Sequence, residues 1–302
     1  MYGIAEELRS ITANVMTDEK MSAHTTFRTG GCADIFVIPK NAKEATDVVR
    51  LLLARNVPYT VIGNGSNILV SDEGYRGCIV CMGADDMNVL GTTVTAGAGA
   101  LLSKVARLSY ENGLTGLEFA AGIPGSVGGA VVMNAGAYGS EIKDVIKDVK
   151  LFDIRTQNMV RLSGEDLLFG YRTSIVKTQP LIVLEAVFEL SHKDRSEIKE
   201  TMDDLAARRR SKQPLEYPSA GSTFKRPEGH FAGKLIEEAG LKGYSVGGAA
   251  VSDKHCGFII NRDNAASSDI ISLIRIVRQK VFESSGVMLE PEIVLLGEGL
   301  EL

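Results

Sequence analysis

An excess of basic charge is missing from this chain. Its 302 residues carry 33 Lys+Arg against 38 Asp+Glu, a net charge of −5, so no broad positive field awaits a nucleic-acid backbone. Histidine is scarce. His24, His192, His230 and His255 are the full set, and no two lie at i, i+4, which argues against a histidine-based metal site. Cysteine is scarce too. Among Cys32, Cys78, Cys81 and Cys256, Cys78-Ile-Val-Cys81 has CxxC spacing but no second pair, and it sits in an apolar, strand-like run. Reduced buried thiols are expected there, and no metal. Nothing reaches the roughly 18 uninterrupted apolar residues of a membrane span. The start, Met1-Tyr-Gly-Ile-Ala-Glu-Glu-Leu-Arg9, is acidic where a signal peptide would be apolar. A cytoplasmic monomer with a small-molecule substrate, and with neither nucleic acid nor membrane as partner, is expected. The familiar nucleotide and hydrolase templates are missing as well. There is no GxGxxG, no GxxxxGK[ST] and no GxSxG, so any nucleotide is held by another architecture.

Glycine, by contrast, is plentiful at 32 residues. The stretch Gly122-Ile-Pro-Gly-Ser-Val-Gly-Gly-Ala-Val-Val-Met-Asn-Ala-Gly-Ala-Tyr-Gly139 holds six glycines and no formal charge. A solvated loop would carry charge, and a core helix would carry less glycine. Gly125, Gly128 and Gly129 offer no Cβ to obstruct a ligand. Pro124 suits the first turn of a helix whose free N–H groups face an anion, with diphosphate the natural candidate. A small-residue helix packed tightly in the core is the plainer alternative. A second loop, Gly63-Asn64-Gly65-Ser66-Asn67, offers positive φ and an anion-binding nest, or else a plain turn. Two such loops suit a dinucleotide.

Residues 1–20 read as an amphipathic helix. A strand at Phe36–Pro39, a helix near Ala42–Asn56 and a strand at Tyr59–Ile62 follow. Ile68–Val70 continues after the glycine loop, with strands near 78–82 and 92–96. A helix from about Ala100 to Asn112 ends at Gly113, a left-handed C-cap. Residues 145–162 read as a hairpin in which Lys150, Phe152 and Ile154 alternate with Leu151, Asp153 and Arg155. Leu181–Phe188 is a strand and 194–210 a charged helix. Its basic end, Arg208-Arg209-Arg210 with Lys212, is either a solvated helix terminus or part of the site that follows. Gln213-Pro-Leu-Glu-Tyr-Pro-Ser219 reads as an extended linker and domain boundary. The last third holds a helix near Ala232–Ala239 stopped by Gly240 and a strand at Cys256–Ile260. A long helix capped by Ser267 or Ser268 follows, with an apolar face at Ile270, Ile274, Val277 and Val281. Gly286 ends it, and a final strand spans Val287–Leu296.

Three further clusters carry chemistry. Pro218-Ser-Ala-Gly-Ser-Thr-Phe-Lys-Arg-Pro227 sets hydroxyls beside two cations, as an anionic substrate and a proton donor require. Ser222, between Gly221 and Thr223, can approach a ligand closely, though a lone serine is usually only a turn hydroxyl. Phe169-Gly-Tyr-Arg172-Thr-Ser sets an arginine beside aromatics. Leu289-Glu-Pro-Glu292-Ile293 sets acids in an apolar strand, where burial would raise a carboxyl pKa, or at an exposed edge, where proline belongs.

These residues together resemble the UDP-N-acetylenolpyruvoylglucosamine reductase family over nearly the whole chain. The resemblance rests on His24-Thr-Thr-Phe-Arg-Thr-Gly-Gly31, Gly63–Asn67, Gly116-Leu-Glu-Phe-Ala-Ala-Gly-Ile-Pro-Gly-Ser-Val-Gly-Gly129, Asn134-Ala-Gly-Ala-Tyr138, Tyr171-Arg172, Ala220-Gly-Ser222, Gly247-Gly-Ala-Ala-Val251 and Leu289–Ile293. It implies an α+β fold: a two-lobed FAD-binding domain of the vanillyl-alcohol-oxidase type (lobes 1–85 and 86–210) and a C-terminal α+β substrate-binding domain (211–302), whose last strand is free to return to the FAD domain. It implies FAD as cofactor and NADPH as co-substrate. The activity implied is reduction of enolpyruvyl-UDP-GlcNAc to UDP-N-acetylmuramic acid for peptidoglycan synthesis, with hydride passed by flavin N5. FAD contacts are implied at Gly63, Asn64, Gly65, Ser66, Asn67, Gly122, Ile123, Pro124, Gly125, Ser126, Gly128, Gly129, Asn134, Ala135 and Gly136. Arg172 and Glu292 match the pair that stabilises the enolate, the glutamate protonated, and Ser222 matches the proton donor. Lys212, Lys225, Arg226 and His255 match positions that hold diphosphate or sugar. The span from Tyr171 to Leu184 lacks a tyrosine-bearing loop found in one subclass, so the chain resembles the shorter subclass and that contact must come from elsewhere. An FAD-dependent oxidase of the same fold and a non-catalytic flavin-binding module are the competing readings. Rapid reaction of reduced flavin with oxygen would mark the oxidase.

Overall fold

The computed structural model describes residues 2–302. Contacts divide the chain into two units. One is Met1–Thr17, Ile35–Asn64 and Gly77–Arg209; the other is Asp18–Asp34, Gly65–Arg76 and Arg210–Leu302.

The first unit is built on a five-stranded antiparallel sheet. Its strands run in the order Asn158–Ser163, Ile146–Asp153, Leu181–Glu189, Thr93–Gly97, Met87–Leu90. The last of these was not legible in the sequence. The expected alternation along 150–155 breaks, because Leu151 and Phe152 are both fully buried. Pairing with Asn158–Ser163 runs through these residues without a shift, so Leu151 and Phe152 point to opposite faces of the sheet and both faces are covered there; the extra residue of the local register shift is Leu184, on the other neighbouring strand. Burial of a side chain such as Phe152 or Phe188 contributes about 1.5–3 kcal/mol each. A second sheet orders Val15–Lys20, Cys32–Val37, Tyr75–Cys81 and Tyr59–Ile62.

Local chemistry sets the helices of this unit. Asn41 caps Ala42–Ala54 by accepting the Glu44 N–H at 2.9 Å. Ala45, Val48, Val49 and Leu52, at helical spacing, form the buried face. Leu102–Glu111 ends before Gly113, whose φ of +67° is the expected left-handed turn. The expected helix over 1–20 is corrected. It spans only Tyr2–Arg9, and Val15–Lys20 is an edge strand. After Arg9 the chain tightens, with Ser10 and Ile11 N–H groups reaching the Glu7 and Leu8 carbonyls three residues back.

The second unit carries a three-stranded antiparallel sheet, Ser245–Val246, Ala249–Val251 and Ile259–Asn261, against the helix Ser267–Ser285. That helix buries Ile270, Ile274, Val277 and Val281 as its spacing predicts, and Gly286 at φ +72° ends it. Its cap differs from expectation. Ala266 stands at the N-cap, and the Asp72 carboxylate accepts the Ser267 and Ser268 N–H groups at 2.7 and 2.9 Å. Burial pushes the Asp72 carboxyl up, but those N–H groups and the serine hydroxyls outweigh it and hold it below its usual range. Two strands shorten. The run expected over Cys256–Ile260 is strand only from Ile259, through Asn261, because the Phe258 N–H turns back to the His255 carbonyl. Only Val294–Leu296 of the last run is strand, paired in parallel with Ile68–Val70. Pro291 has no N–H to continue a ladder.

All four cysteines are free. Burial pushes Cys78 up to about 12 and Cys81 to about 11, so both are protonated thiols. No helix among the described residues is long and apolar enough to cross a membrane.

Candidate active site

In the first unit, Gly63 and Asn64 are laced to the glycine-rich segment. The Asn64 amide donates to the Pro124 carbonyl at 2.6 Å, and a Cβ on Gly63 would stand 2.0 Å from Ser126 Oγ. The Cys81 thiol donates to the Gly63 carbonyl at 3.5 Å. The helix here is Val127–Met133, so Pro124 lies outside its first turn, and Ser126 is the cap, its hydroxyl accepting the Gly129 N–H at 3.4 Å. Its first N–H groups do not face a ligand. Val127 and Gly128 donate to the carbonyls of Ala100 and Ala98 at 2.9 and 2.8 Å. Gly128 is tight because a Cβ would meet that of Ala98 at 3.1 Å. At Gly63 and Gly128, then, the absent Cβ serves protein packing. Ile123 donates to Ala120 and packs on the main core.

Asn134, Ala135 and Gly136 are placed around Arg172. Asn134 is fully buried and left-handed at φ +42°, a conformation its short polar side chain tolerates. Its amide donates to Glu141 Oε2 at 3.1 Å and to the Gly170 carbonyl at 3.0 Å, and its Oδ1 accepts the Lys143 N–H at 3.0 Å. Both N–H groups of this side chain and one lone pair of its oxygen are thus engaged within the protein. Beside it, the Ala135 carbonyl accepts the Ile142 N–H. The Gly136 carbonyl accepts Arg172 Nη2 at 3.1 Å. Gly170 and Thr173 close a turn around Tyr171 and Arg172 through 3.0 and 3.4 Å backbone bonds, and the Ser174 hydroxyl ties it to the Val132 carbonyl at 3.0 Å. Arg172 sits at φ +56°, unusual for a bulky residue, with its guanidinium 5.1 Å from the Tyr171 ring centroid. Strain of this kind persists only where the surroundings over-determine it.

In the second unit a short antiparallel pairing carries the other two candidates. Phe224 bridges Pro291, Lys225 N–H donates to the Glu290 carbonyl at 2.8 Å, and Glu292 N–H donates to the Thr223 carbonyl at 2.8 Å. Exposed Ser222 therefore precedes, by one residue, the residue paired to half-buried Glu292. Thr223 itself is fully buried, its hydroxyl accepting the Ile259 N–H at 3.0 Å. Asn67 locks the same strand, donating to the Glu292 carbonyl at 3.2 Å and accepting the Val294 N–H at 2.9 Å. Gly65 is left-handed at φ +61°, a Cβ on it would stand 2.0 Å from the His24 carbonyl, and its own carbonyl accepts the Thr26 N–H. Ser66, next in line, is half-buried.

The basic set spreads over this unit. Lys225 pairs with Glu290. Arg226 stacks 4.0 Å above the Phe231 ring and donates to the His230 carbonyl at 3.3 Å. Lys212 is exposed. His255 accepts the Gly257 N–H on Nδ1 at 3.1 Å and meets the Phe258 ring edge-on at 5.0 Å. Burial lowers its pKa, so it is a neutral imidazole with its proton on Nε2, a hydrogen-bond donor rather than a cation.

Sequence reasoning did not single out Thr223, or Asn67 as a strand clamp, and took Arg209 only as one member of a basic run. The signal for Arg209 was present, because Ile198, Met202, Leu205 and Arg209 share one helical face. Each unit also holds a buried donor with no partner beside a glycine loop: Arg209 Nε at Gly122, and Thr26 Oγ1 next to Gly65. A ligand rich in anionic and carbonyl oxygens would satisfy such donors.

Family models match both ends of this arrangement of elements. Residues 33–163 match an FAD-binding-domain model, and residues 213–296 match the model for the C-terminal domain of UDP-N-acetylenolpyruvoylglucosamine reductase. The UDP-N-acetylenolpyruvoylglucosamine reductase of Clostridioides difficile is 49% identical over 288 residues, 94% of each chain. That of Geobacillus thermodenitrificans is 50% identical over 288 residues, again 94% of each. The crystal structure of the Thermus caldophilus enzyme superposes with a TM-score of 0.80 at 34% identity, covering 94% of this chain and 98% of that one.

Proposed function

The chain belongs to the UDP-N-acetylenolpyruvoylglucosamine reductase family, and we propose how its own residues carry out the reduction. It is an FAD-dependent oxidoreductase acting on UDP-N-acetylenolpyruvoylglucosamine in peptidoglycan synthesis. FAD, when bound, carries two electrons to the enolpyruvyl double bond. NADPH is their source in this reading, and the enzyme works as a cytoplasmic monomer.

Gly63–Asn67 and Gly122–Ser126 would hold the cofactor. Asn134, Ala135 and Gly136 are assigned to holding Arg172. Arg172 neutralises the charge that develops on the substrate carboxylate, and Glu292 donates a hydrogen bond to it. Ser222 gives its hydroxyl proton to the adjacent carbon. Lys212, Lys225 and Arg226 bind the diphosphate electrostatically, while neutral His255 donates from Nε2 to a sugar or phosphate oxygen.

The observation that carries this reading is the pairing of Thr223 with Glu292, which fixes the serine and the acid on adjacent backbone. The test is an anaerobic flavin spectrum of Ser222→Ala. NADPH should still bleach the band, while recovery on adding enolpyruvyl substrate should slow by about 10²–10⁴-fold, the usual worth of a general acid. Loss of bleaching as well would remove Ser222 from the second half-reaction. Glu292→Gln should retain more activity than Glu292→Ala, and equal losses would refute the donor role.

A further inference from the structure

We propose that Glu141 is a positioning residue for the reduction, setting Arg172 through its backbone turn and through its guanidinium at once. The proposal rests on the role given to Arg172 above and adds a residue to which that reading gives none.

Glu141 lies just beyond the glycine-rich segment, on the second strand of the short antiparallel pair Gly136–Ala137 and Ser140–Glu141. It reaches Arg172 by two routes. The first runs through its side chain. Glu141 Oε2 accepts the Asn134 amide at 3.1 Å, and the same amide nitrogen donates to the Gly170 carbonyl at 3.0 Å. Gly170 opens the turn in which Arg172 takes its φ of +56°. The second route runs through the backbone. Glu141 stands opposite Gly136 in the strand pair, and the Gly136 carbonyl accepts Arg172 Nη2 at 3.1 Å. The approach is close, because a Cβ on Gly136 would stand 2.7 Å from Glu141 Cγ. One half-buried acid is thus in contact with Asn134, which holds the turn, and with Gly136, which holds the guanidinium.

Glu141 is itself held. The Lys143 ammonium pairs with its Oε2 at 2.7 Å, a hydrogen bond that keeps the Lys143 pKa above its usual value, and the Asp144 carboxylate accepts the Glu141 N–H at 2.8 Å. An ionised acceptor makes a stronger hydrogen bond than a neutral one. It also favours one orientation of the Asn134 amide, whose NH2 faces Glu141 and Gly170 while its oxygen faces the Lys143 N–H. The reversed amide would set its oxygen against a carboxylate and a carbonyl. Without Glu141 the clamp loses its charged partner, and the turn loses part of what holds an unfavourable backbone conformation in place. A shift of about 1 Å in a catalytic group can cost about 100-fold in rate.

The experiment follows both half-reactions of the FAD-loaded enzyme by anaerobic stopped flow. It uses Glu141→Ala, Glu141→Gln, Arg172→Ala and the double variant of Glu141→Ala with Arg172→Ala. NADPH should bleach the flavin at the wild-type rate in both Glu141 variants. Reoxidation by the enolpyruvyl substrate should slow about 10- to 100-fold in Glu141→Ala. Glu141→Gln keeps an acceptor oxygen for Asn134 and should recover most of that loss. The decisive comparison is the double-mutant cycle. With Arg172 already removed, loss of Glu141 should change the rate by less than about twofold. Equal fold losses on the two backgrounds would overturn the proposal, since Glu141 would then act independently of Arg172. Wild-type substrate reduction in a folded Glu141→Ala protein would overturn it too, as would equally deep losses in both half-reactions. If Glu141→Ala fails to fold, Glu141→Met fills the space without an acceptor and enters the same cycle. Substrate reduction at the wild-type rate in Arg172→Ala would refute the role of Arg172 itself, a separate outcome that removes the proposal with it.

Discussion

Arg172 and Ser222 are held by different means. Arg172 stands on a strained turn tied down by side chains: Asn134 grips the Gly170 carbonyl, Ser174 grips Val132, and the Gly136 carbonyl accepts from the guanidinium. Ser222 and Glu292 are set by backbone pairing, through Thr223, Phe224 and Lys225 against Glu292, Pro291 and Glu290. A backbone ladder survives most side-chain changes, whereas a side-chain clamp fails with one. The two halves of the proposed chemistry should therefore differ in their tolerance to mutation.

The sharpest way to break this contrast is Asn134→Ala. It deletes three hydrogen bonds at a fully buried site and leaves the Lys143 N–H without its acceptor, while Glu141 keeps its ion pair with Lys143 and the Gly170 carbonyl its longer bond from Thr173. It also places alanine at φ +42°. A loss of about 3–5 kcal/mol is expected by denaturant titration. The rate of substrate reduction should fall even where the protein remains folded. Asn134→Gly relieves the backbone but not the lost bonds, so it should recover stability and little rate. Full rate in a folded Asn134→Ala protein would mean that Arg172 is placed without the Asn134 clamp.

Thr223→Val is the matching change on the other side. The shapes agree, the carbonyl that pairs with Glu292 stays, and only the acceptor for the Ile259 N–H is lost. Leaving that buried donor unpaired should cost about 1–3 kcal/mol. Single-turnover reduction should be nearly unchanged below the melting range. A rate loss as deep as that of Asn134→Ala would show that the ladder, too, depends on its side chains.

Acid should weaken the second unit through Asp72. Its folded-state carboxyl lies below the ordinary 3.8 because it accepts the N–H groups of Ser268 and Ser267. A depressed carboxylate stabilises fully above its unfolded value and loses that contribution as pH falls through the folded one. Wild type should therefore lose stability below about pH 4 more steeply than Asp72→Asn. Near neutral pH, Asp72→Ala should cost about 0.5–2 kcal/mol, the range for a helix cap. Parallel acid profiles for wild type and Asp72→Asn would remove the cap from the account.

The same contrast explains what the sequence could disclose. Local chemistry was legible: Asn41 before an amphipathic run, Gly113 and Gly286 after one, and the Ile270–Val281 face. The motifs around Arg172, Ser222 and Glu292 were visible too, and the roles read from them are the ones proposed above. What stayed hidden were partners far apart in the chain. The Asn134 side chain donates to the Gly170 carbonyl, 36 residues away. The helix expected to be capped by its own serines is capped by Asp72, 195 residues earlier. Val15–Lys20 carries Thr, Asp, Glu and Lys beside one buried valine, a pattern too polar to announce an edge strand.

The smallest effect should come from the one ion pair set on the ladder. Lys225 and Glu290 are neighbours through their backbone pairing, so their side chains meet whatever the charge contributes. The Glu290 side chain is 68% exposed, and such pairs contribute at most about 1 kcal/mol. Glu290→Gln should therefore leave the Tm almost unchanged. It should also release the ammonium for the substrate diphosphate, so KM should fall by no more than about fivefold, the equivalent of that energy. Lys225→Gln should raise KM at a similar Tm. If Glu290→Gln raised KM instead, the acid would be holding Lys225 in its binding position, and a side-chain clamp would operate in the second unit as well.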